Sequence, residues 1–506
     1  MAKYKSYDYS QTVLLPVSLE EQLIPGTLEF AIHMLVERRM DTRALDERYR
    51  NDETGRKAYD PKILLKIVLL GYSRGIVSSR KLERACRENV LFMALSCWQQ
   101  PDHSTIATFV SSMKEEITSL FQDILLVCDE MNLLGGTAFA LDGCKLPSNA
   151  SADWTGRRAD FERKKAKLRE RLTDLIEEQQ VTDKRECEKA SKGRFPGGGN
   201  KGKQIEKLER HAERIEKWLE NYVPRTGTVG QELKQNITDD ESAILVTSHG
   251  TYQGYNGQAL VDSKHQVVVH AEAFGRGQDS EHVSPMIRGA KENMAKLGHG
   301  EDYFRNTVLT ADAEYHSPAN LKTCDEEGLD AYIPDKRFRR RDPRLRVKRP
   351  TPKKRFILED FRFHVESDEY ICPASKRLRR IVKRARSGET YYRRYCADTE
   401  DCKRCTLRTR CLMQPTARNR SLNVPVGITS NNLSKRMAEK IDTERGRNIY
   451  YTRMAIAEPV FANLRTHKRL DRFTMRSKVK VNVQWLLYCM VHNIGKICNT
   501  EFAWAT

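Results

Sequence analysis

The chain has 506 residues, with 88 Lys and Arg against 69 Asp and Glu, a formal net charge of +19. That length accommodates about three domains and a large core, and a charge excess gathered in clusters points to a polyanionic partner rather than to solubility alone. No apolar run reaches transmembrane length and no apolar leader stands at the N-terminus; with 13 cysteines scattered mostly singly, the pattern is that of reduced thiols, and the expectation is a cytoplasmic protein.

Residues 1–130 read as helical. Pro61 to Gly71 has the proline start and glycine stop of a short buried helix. Ser78-Ser79 caps a second helix with Leu82, Ala85 and Cys86 on one face. Asp102 and its neighbours precede a third, continuing amphipathically toward Met131. Arg74, Arg80, Lys81, Arg84 and Arg87 on exposed positions suit a helix-turn-helix reader of DNA, and a plain helical packing domain is the other reading.

Gly136-Thr-Ala-Phe-Ala-Leu-Asp142-Gly143 is an apolar run bounded by glycines, the mark of a buried strand, and it closes on a carboxylate. An acid held there has little water, so it requires a cation, a hydrogen-bond network or a raised pKa. A charged insert follows over residues 156–222, in two helical halves. The second half carries Ile205, Leu208, Ala212, Ile215 and Leu219 at near-heptad spacing. The glycine-rich run between the halves has no Lys-Ser or Lys-Thr pair after it and no strand before it, so it reads as a hairpin tip, not a phosphate loop.

Alternating segments at 243–247, 255–261 and 265–271 then supply strands, the last two joined at Asp262-Ser-Lys264. Asp279 reads as a helix N-cap, and Asp239 and Asp240 as loop acids. Asn306-Thr-Val-Leu-Thr-Ala-Asp312 repeats the first pattern, an apolar run ending in Asp. Two such strands side by side would present both carboxylates at one sheet end, and Glu458 could bring a third acid on a covering helix.

From Asp335 to Arg355 the chain is densely basic: Arg339, Arg340, Arg341, Lys348, Arg349, Lys353, Lys354 and Arg355. Like charges so close repel unless a counter-charge is present, which favours phosphate contact over a solvated face. Tyr391-Tyr-Arg-Arg-Tyr395 adds aromatic surfaces able to stack on bases. The same region holds Cys372, Cys396, Cys402, Cys405 and Cys411. A Cys-x2-Cys pair with further cysteines nearby suits either a structural zinc knuckle or plain reduced thiols. For zinc, Cys372, Cys402, Cys405 and Cys411 are the expected ligands, with Cys396 spare. Beyond them, the Tyr450 helix is expected to kink or end near Pro459, and Val481 to Ile497 forms a long apolar helix closing the sheet from behind.

Asp142 in "ALDG", Asp312 in "LTADAEY", the segment "YYTRMAIAEPVF" from Tyr450 to Phe461, "YNGQ" at Tyr255 to Gln258 and "MVHNIGKI" at Met490 to Ile497 together resemble the DDE transposases of bacterial insertion sequences. The resembled group has a ribonuclease-H-like core and a Tyr…Arg…Glu signature on its last catalytic helix. Four residues here separate Arg453 from Glu458 where three are usual, and Arg465 stands where a Lys would fall. The resemblance implies an α/β fold: a ribonuclease-H-like mixed sheet flanked by helices, with an all-helical N-terminal domain and inserted segments. The expected divisions are 1–130, a first core part 131–335, a basic cysteine-containing insert 336–424, and the rest of the core 425–506.

The expected activity is cutting and joining of double-stranded DNA at element ends, by a homodimer because two ends must meet. Asp142, Asp312 and Glu458 are the expected catalytic, metal-holding residues. Carboxylates about 4 Å apart repel by roughly 1–4 kcal/mol, and oxygen ligands select Mg2+ or Mn2+. Two such ions can serve both sides of a phosphodiester displacement. Tyr450, Arg453 and Arg465 would hold DNA phosphate nearby, with the basic residues of 339–355. An inactive DNA-binding relic and a nuclease of the same fold are the alternatives; a plain RNA-binding protein leaves the buried acids unexplained.

Overall fold

A computed structural model describes residues 18–48, 57–190, 201–227, 230–247, 250–345, 355–387, 390–412, 414, 416–425 and 433–500. The chain divides into two compact units, one of residues 1–334 with 443–506 and one of Asp335–Asp442.

The larger unit begins with helices α1 (Leu28–Arg38), α2 (Pro61–Ser73), α3 (Ser79–Glu88), α4 (His103–Ser112) and α5 (Glu116–Glu130). Asp60 caps α2 by accepting from Lys62 N–H, and Pro61 takes the first position, where no N–H is needed. The helix does not stop at Gly71. It ends at Ser73, and Gly75, with a φ of +71°, forms a left-handed terminus in which Gly75 and Ile76 N–H bond back to Tyr72 and Gly71 carbonyls. Gly71 is needed for packing: a Cβ there would stand 2.3 Å from Leu82 of α3. The expected continuous helix toward Met131 is broken between α4 and α5, because the chain turns at Met113 to bury both Phe109 and Ile117.

The central sheet contains β1 (Ala138–Pro147), β2 (Ala243–Thr247), β3 (Gly250–Asp262), β4 (Val268–Phe274), β5 (Val308–Ala311) and β6 (Asp330–Tyr332). Its order is β2-β3-β1-β5-β6, with β4 also paired to β3. The β3 pairings are antiparallel, whereas β1–β5 and β5–β6 are parallel. This is a mixed α/β, ribonuclease-H-like architecture. Between β1 and β2 project helices α6 (Arg158–Ala190) and α7 (Lys201–Glu220), which pack on one another with Phe161 against Trp218 and with Leu175, Ala212 and Ile215 buried. Most of the glycine-rich tip lies outside the described residues. After β4 comes α8 (Val283–Lys296).

Two helices near the C-terminus complete the unit: α9 (Glu444–Ala462) and α10 (Lys478–Asn499). Helix α9 runs through Pro459 to Ala462 before a wider turn over Asn463–His467. Helix α10 is the apolar backing the sequence predicts, with Val481 and Trp485 through Met490 almost all buried. It packs on β4 and also on α1, α2 and α5, so the N-terminal helices share one unit with the sheet. Asn482 and Asn493, three turns apart, each accept from and donate to the backbone of β4, at Ala273 and Val268. Helix side chains thereby satisfy a strand edge that would otherwise carry unpaired peptide groups.

The smaller unit is built on an antiparallel sheet of β7 (Arg362–His364), β8 (Glu369–Ile371), β9 (Arg377–Ser387), β10 (Thr390–Ala397) and β11 (Ser421–Pro425), in sequential order. Its core is a cluster of Phe361, Leu378, Tyr395, Ala397 and Leu422. The unit extends past residue 424 to Asp442, where the Asp442 carboxylate binds Arg341 at 2.5 Å and ties its two ends.

Candidate active site

Strands β1 and β5 run parallel with Leu141 opposite Ala311. The next residue in each is the acid, so strand register sets Asp142 and Asp312 side by side at one end of the sheet. Asp142 remains within β1, paired with Ala259 of β3, and accepts from Gly143 N–H at 2.9 Å. Asp312 caps a short turn, accepting from Glu314 N–H at 2.8 Å.

Helix α9 packs over β1 and β5. From it Arg453 reaches Asp142, Nη1 to Oδ2 at 2.6 Å, with both side chains more than four-fifths buried. Tyr450, one turn earlier, hydrogen-bonds Arg453. Burial pushes the Asp142 carboxyl up to about 6; Arg453 and Gly143 N–H oppose this, and Asp312 and Asp279 add to it. Burial also raises the Asp312 carboxyl, with Asp279 adding repulsion. Two desolvated acids are thus held together, with Arg453 paired to Asp142 and both Arg453 and Lys145 acting on Asp312.

Glu458 lies on α9 at an exposed position. Five residues beyond Arg453, it is turned about 140° around the helix and set about 7.5 Å along it. It makes no ion pair with Arg453 or hydrogen bond to either Asp, so the structure does not join it to the pair.

Asp279 is placed differently from the expected N-cap. It opens a short helical turn, but its Oδ1 accepts from the side-chain amides of Asn256 at 2.5 Å and Gln258 at 2.8 Å. Burial pushes its carboxyl up, but the neighbouring His282, Glu314 and Lys145 and the hydrogen bond from Asn256 outweigh this and leave it below the usual range. Burial raises the neighbouring Glu314 carboxyl, which also binds Lys145 at 2.6 Å. Tyr315 donates to Gln258 Oε1, and Trp485 Nε1 donates to the Gln258 carbonyl at 2.9 Å.

This network explains the "YNGQ" segment residue by residue. Asp239 is a loop acid as expected, but a buried one, and Tyr255 donates to it at 2.6 Å. Asn256 and Gln258 hold Asp279, and Gly257 leaves room for the Trp485 ring, 3.2 Å from where a Cβ would stand. Gly143 serves Gln258 likewise, since a Cβ would meet its Nε2 at 2.2 Å. The signal in the sequence was two amide side chains at period two inside an otherwise apolar strand; buried amides require partners.

The other expected residues fall into four groups. Arg339, Arg340, Arg355 and Arg465 are exposed. Arg341 is committed to Asp335 and Asp442, and Arg74 to Glu29, so neither is open for phosphate as the sequence reading expected. Lys348, Arg349, Lys353 and Lys354 lie outside the described residues. In the smaller unit Cys372, Cys402, Cys405 and Cys411 line one cavity, whereas Cys396 does not.

Two family models match the chain, and both describe transposases. Residues 371–498 match a transposase DDE domain, and residues 17–112 match the transposase domain DUF772. Together with the fold they place the chain among DDE transposases of insertion sequences. The DDE match includes Tyr450, Arg453, Glu458 and the five clustered cysteines, while Asp142 and Asp312 lie upstream of it. No curated protein matches the chain significantly.

Proposed function

We propose that this transposase cuts and joins double-stranded DNA at the ends of its element, with Asp142 and Asp312 as the paired metal-holding acids and Glu458 as the third. The observation that carries the reading is the register of β1 and β5, which sets two partly buried carboxylates side by side where each raises the other's need for a cation. Their oxygens suit Mg2+ or Mn2+. When bound, such ions would activate a water or 3′-hydroxyl and stabilise the leaving oxygen in an in-line displacement.

The chain's own residues do the rest. Arg453 neutralises Asp142 in the resting protein and is positioned to turn to a DNA phosphate once a cation takes over that charge. Tyr450 holds Arg453 in place. Asp279 buttresses the site: Asn256, Gln258, Lys145 and His282 already occupy its carboxylate. Glu458 is exposed on the covering helix, so its carboxylate remains available to a cation. Arg339, Arg340, Arg355 and Arg465 bind the DNA backbone, and two copies of the chain hold the two ends. The test is incubation with DNA flanking the protein's own gene and Mg2+, mapping each cut, then a strand-transfer assay with pre-cut ends. Cuts at the element ends and joined products support the reading; cut DNA that never joins identifies a nuclease, and binding without any product identifies an inactive relic.

A further inference from the structure

Among the described residues, five buried side chains form the central apolar cluster of the smaller unit, and three of the cysteines, Cys372, Cys402 and Cys411, pack against it. Cores so small usually depend on a disulfide or a metal for stability. The cysteines are free thiols. Those three and Cys405 line a cavity of about 20 Å3, room for one ion or one water and too small for an organic ligand.

The local backbone is arranged for sulfur ligation. Cys372 follows β8 in a tight turn, Cys-Pro-Ala-Ser-Lys. There Ser375 takes a φ of +57°, Cys372 N–H bonds the Lys376 carbonyl at 2.8 Å, and Lys376 N–H points at Cys372 Sγ at 3.3 Å. Peptide N–H groups aimed at sulfur stabilise the thiolate, the form that binds metal.

Charge agrees with geometry. Four thiolates around a divalent cation carry a net charge of −2. Lys376, Arg408 and Arg420 line the same cavity, and Asp401, also there, is paired with Lys376 at 3.1 Å. Arg408 and Arg420 meanwhile donate to the Cys402 and Cys411 carbonyls, at 3.0 and 2.9 Å, which fixes the ligand-bearing backbone. Among the described residues, no three His, Cys, Asp or Glu side chains already stand as a metal-binding group, so occupancy requires the thiols to rotate inward.

We infer that Cys372, Cys402, Cys405 and Cys411 form a structural site for one zinc ion, which stabilises the smaller unit and the basic strands β9 and β10 within it. Four sulfur ligands and no open position suit zinc in a structural role. Binding would release the thiol protons, so affinity should fall as pH is lowered.

The test uses the full chain purified under reducing conditions. Elemental analysis should find about one zinc per chain, and cobalt replacement should give the intense absorption of a tetrahedral tetrathiolate. Cys405→Ser should weaken binding at least tenfold and shift the cobalt bands. Cys396→Ser should leave both content and spectrum unchanged. A chelator should lower the melting temperature of the wild-type protein and leave the Cys402→Ser, Cys405→Ser double variant unaffected. Where that double variant does not fold, the wild-type zinc content and cobalt spectrum decide by themselves. Folded wild-type protein that takes up no zinc, iron in its place, a disulfide among the four cysteines, or loss of metal on Cys396→Ser would each overturn the inference. The readouts are independent of DNA chemistry, so an inactive transposase that holds zinc leaves this site standing.

Discussion

Asp142 stands on a strand hydrogen-bonded on both sides, by β3 and β5, over a core that includes Phe139, Leu141, Val261 and Leu309, all essentially inaccessible to solvent. Cys405 stands between two helices of five and four residues, beside a core of five side chains. The first site is made by its fold, which holds two repelling carboxylates together at a cost in stability. The second has four thiols lining one cavity but little apolar burial beside them, so a cation held there, as proposed, would help make the fold. On the proposed readings a cation relieves strain in a strong scaffold at the first site and supports a weak one at the second, so removing it should leave the larger unit folded and loosen the smaller.

The largest effect expected is on chemistry in the larger unit. Asp142→Asn or Glu458→Gln should reduce both cutting and joining by roughly 10²–10³-fold or more, the scale of losing one charge-stabilising group in an active site, with DNA-end binding retained. Asp279→Asn should instead cost about 1–3 kcal/mol of stability through its hydrogen-bond network and keep most of the cutting rate per folded molecule. Should Asp279→Asn be dead and Glu458→Gln cut normally, the third acid has to be reassigned to residue 279.

Next is Arg453→Met, which strands a buried carboxylate. It should destabilise the protein by about 3 kcal/mol at pH 7.5, near the lower limit for breaking a buried pair. At pH 5 the loss should be smaller, because Asp142 then takes up a proton. Equal losses at both pH values in chemical denaturation would mean that the ion pair contributes nothing.

A smaller effect follows from the raised carboxyl of Asp142. Its folded pKa is about 6 against about 3.9 in an unfolded chain. Between those values the folded state binds more protons, so this group's contribution to stability declines as pH rises from about 4 to 6 and stays low above that. Millimolar Mg2+ should accordingly raise the melting temperature at pH 7.5 by more than at pH 5. The proposed zinc site should show no such Mg2+ response, which separates the two clusters in one experiment.

The smallest effect concerns the basic residues of the smaller unit. Replacing Arg339 and Arg340 by Ala should flatten the salt dependence of DNA binding by up to about 1.8 log units per log[salt], from roughly 0.9 per phosphate contact. Arg341→Ala should leave the slope alone and destabilise the unit, since its guanidinium already serves Asp335 and Asp442. An unchanged slope in the double variant would place both arginines away from DNA.

What the sequence determined by itself was local. Apolar runs ending in Asp142 and Asp312, the cap and proline of the helix at Pro61, and the cysteine spacing within residues 372–411 all depend on neighbours a few positions apart. Tertiary structure decided everything that required distant residues to meet. Leu141 pairs with Ala311, Arg453 reaches Asp142 across 311 positions, and Asn256 and Gln258 bind Asp279 across more than twenty. The sequence marks Arg341 as one basic residue among many, and only the fold returns Asp442 to pair with it. The physical reason is that helix periodicity and turn chemistry act over a few residues of chain, whereas desolvation and ion pairing act through space. A charge's partner is thus set by which segments the core brings together.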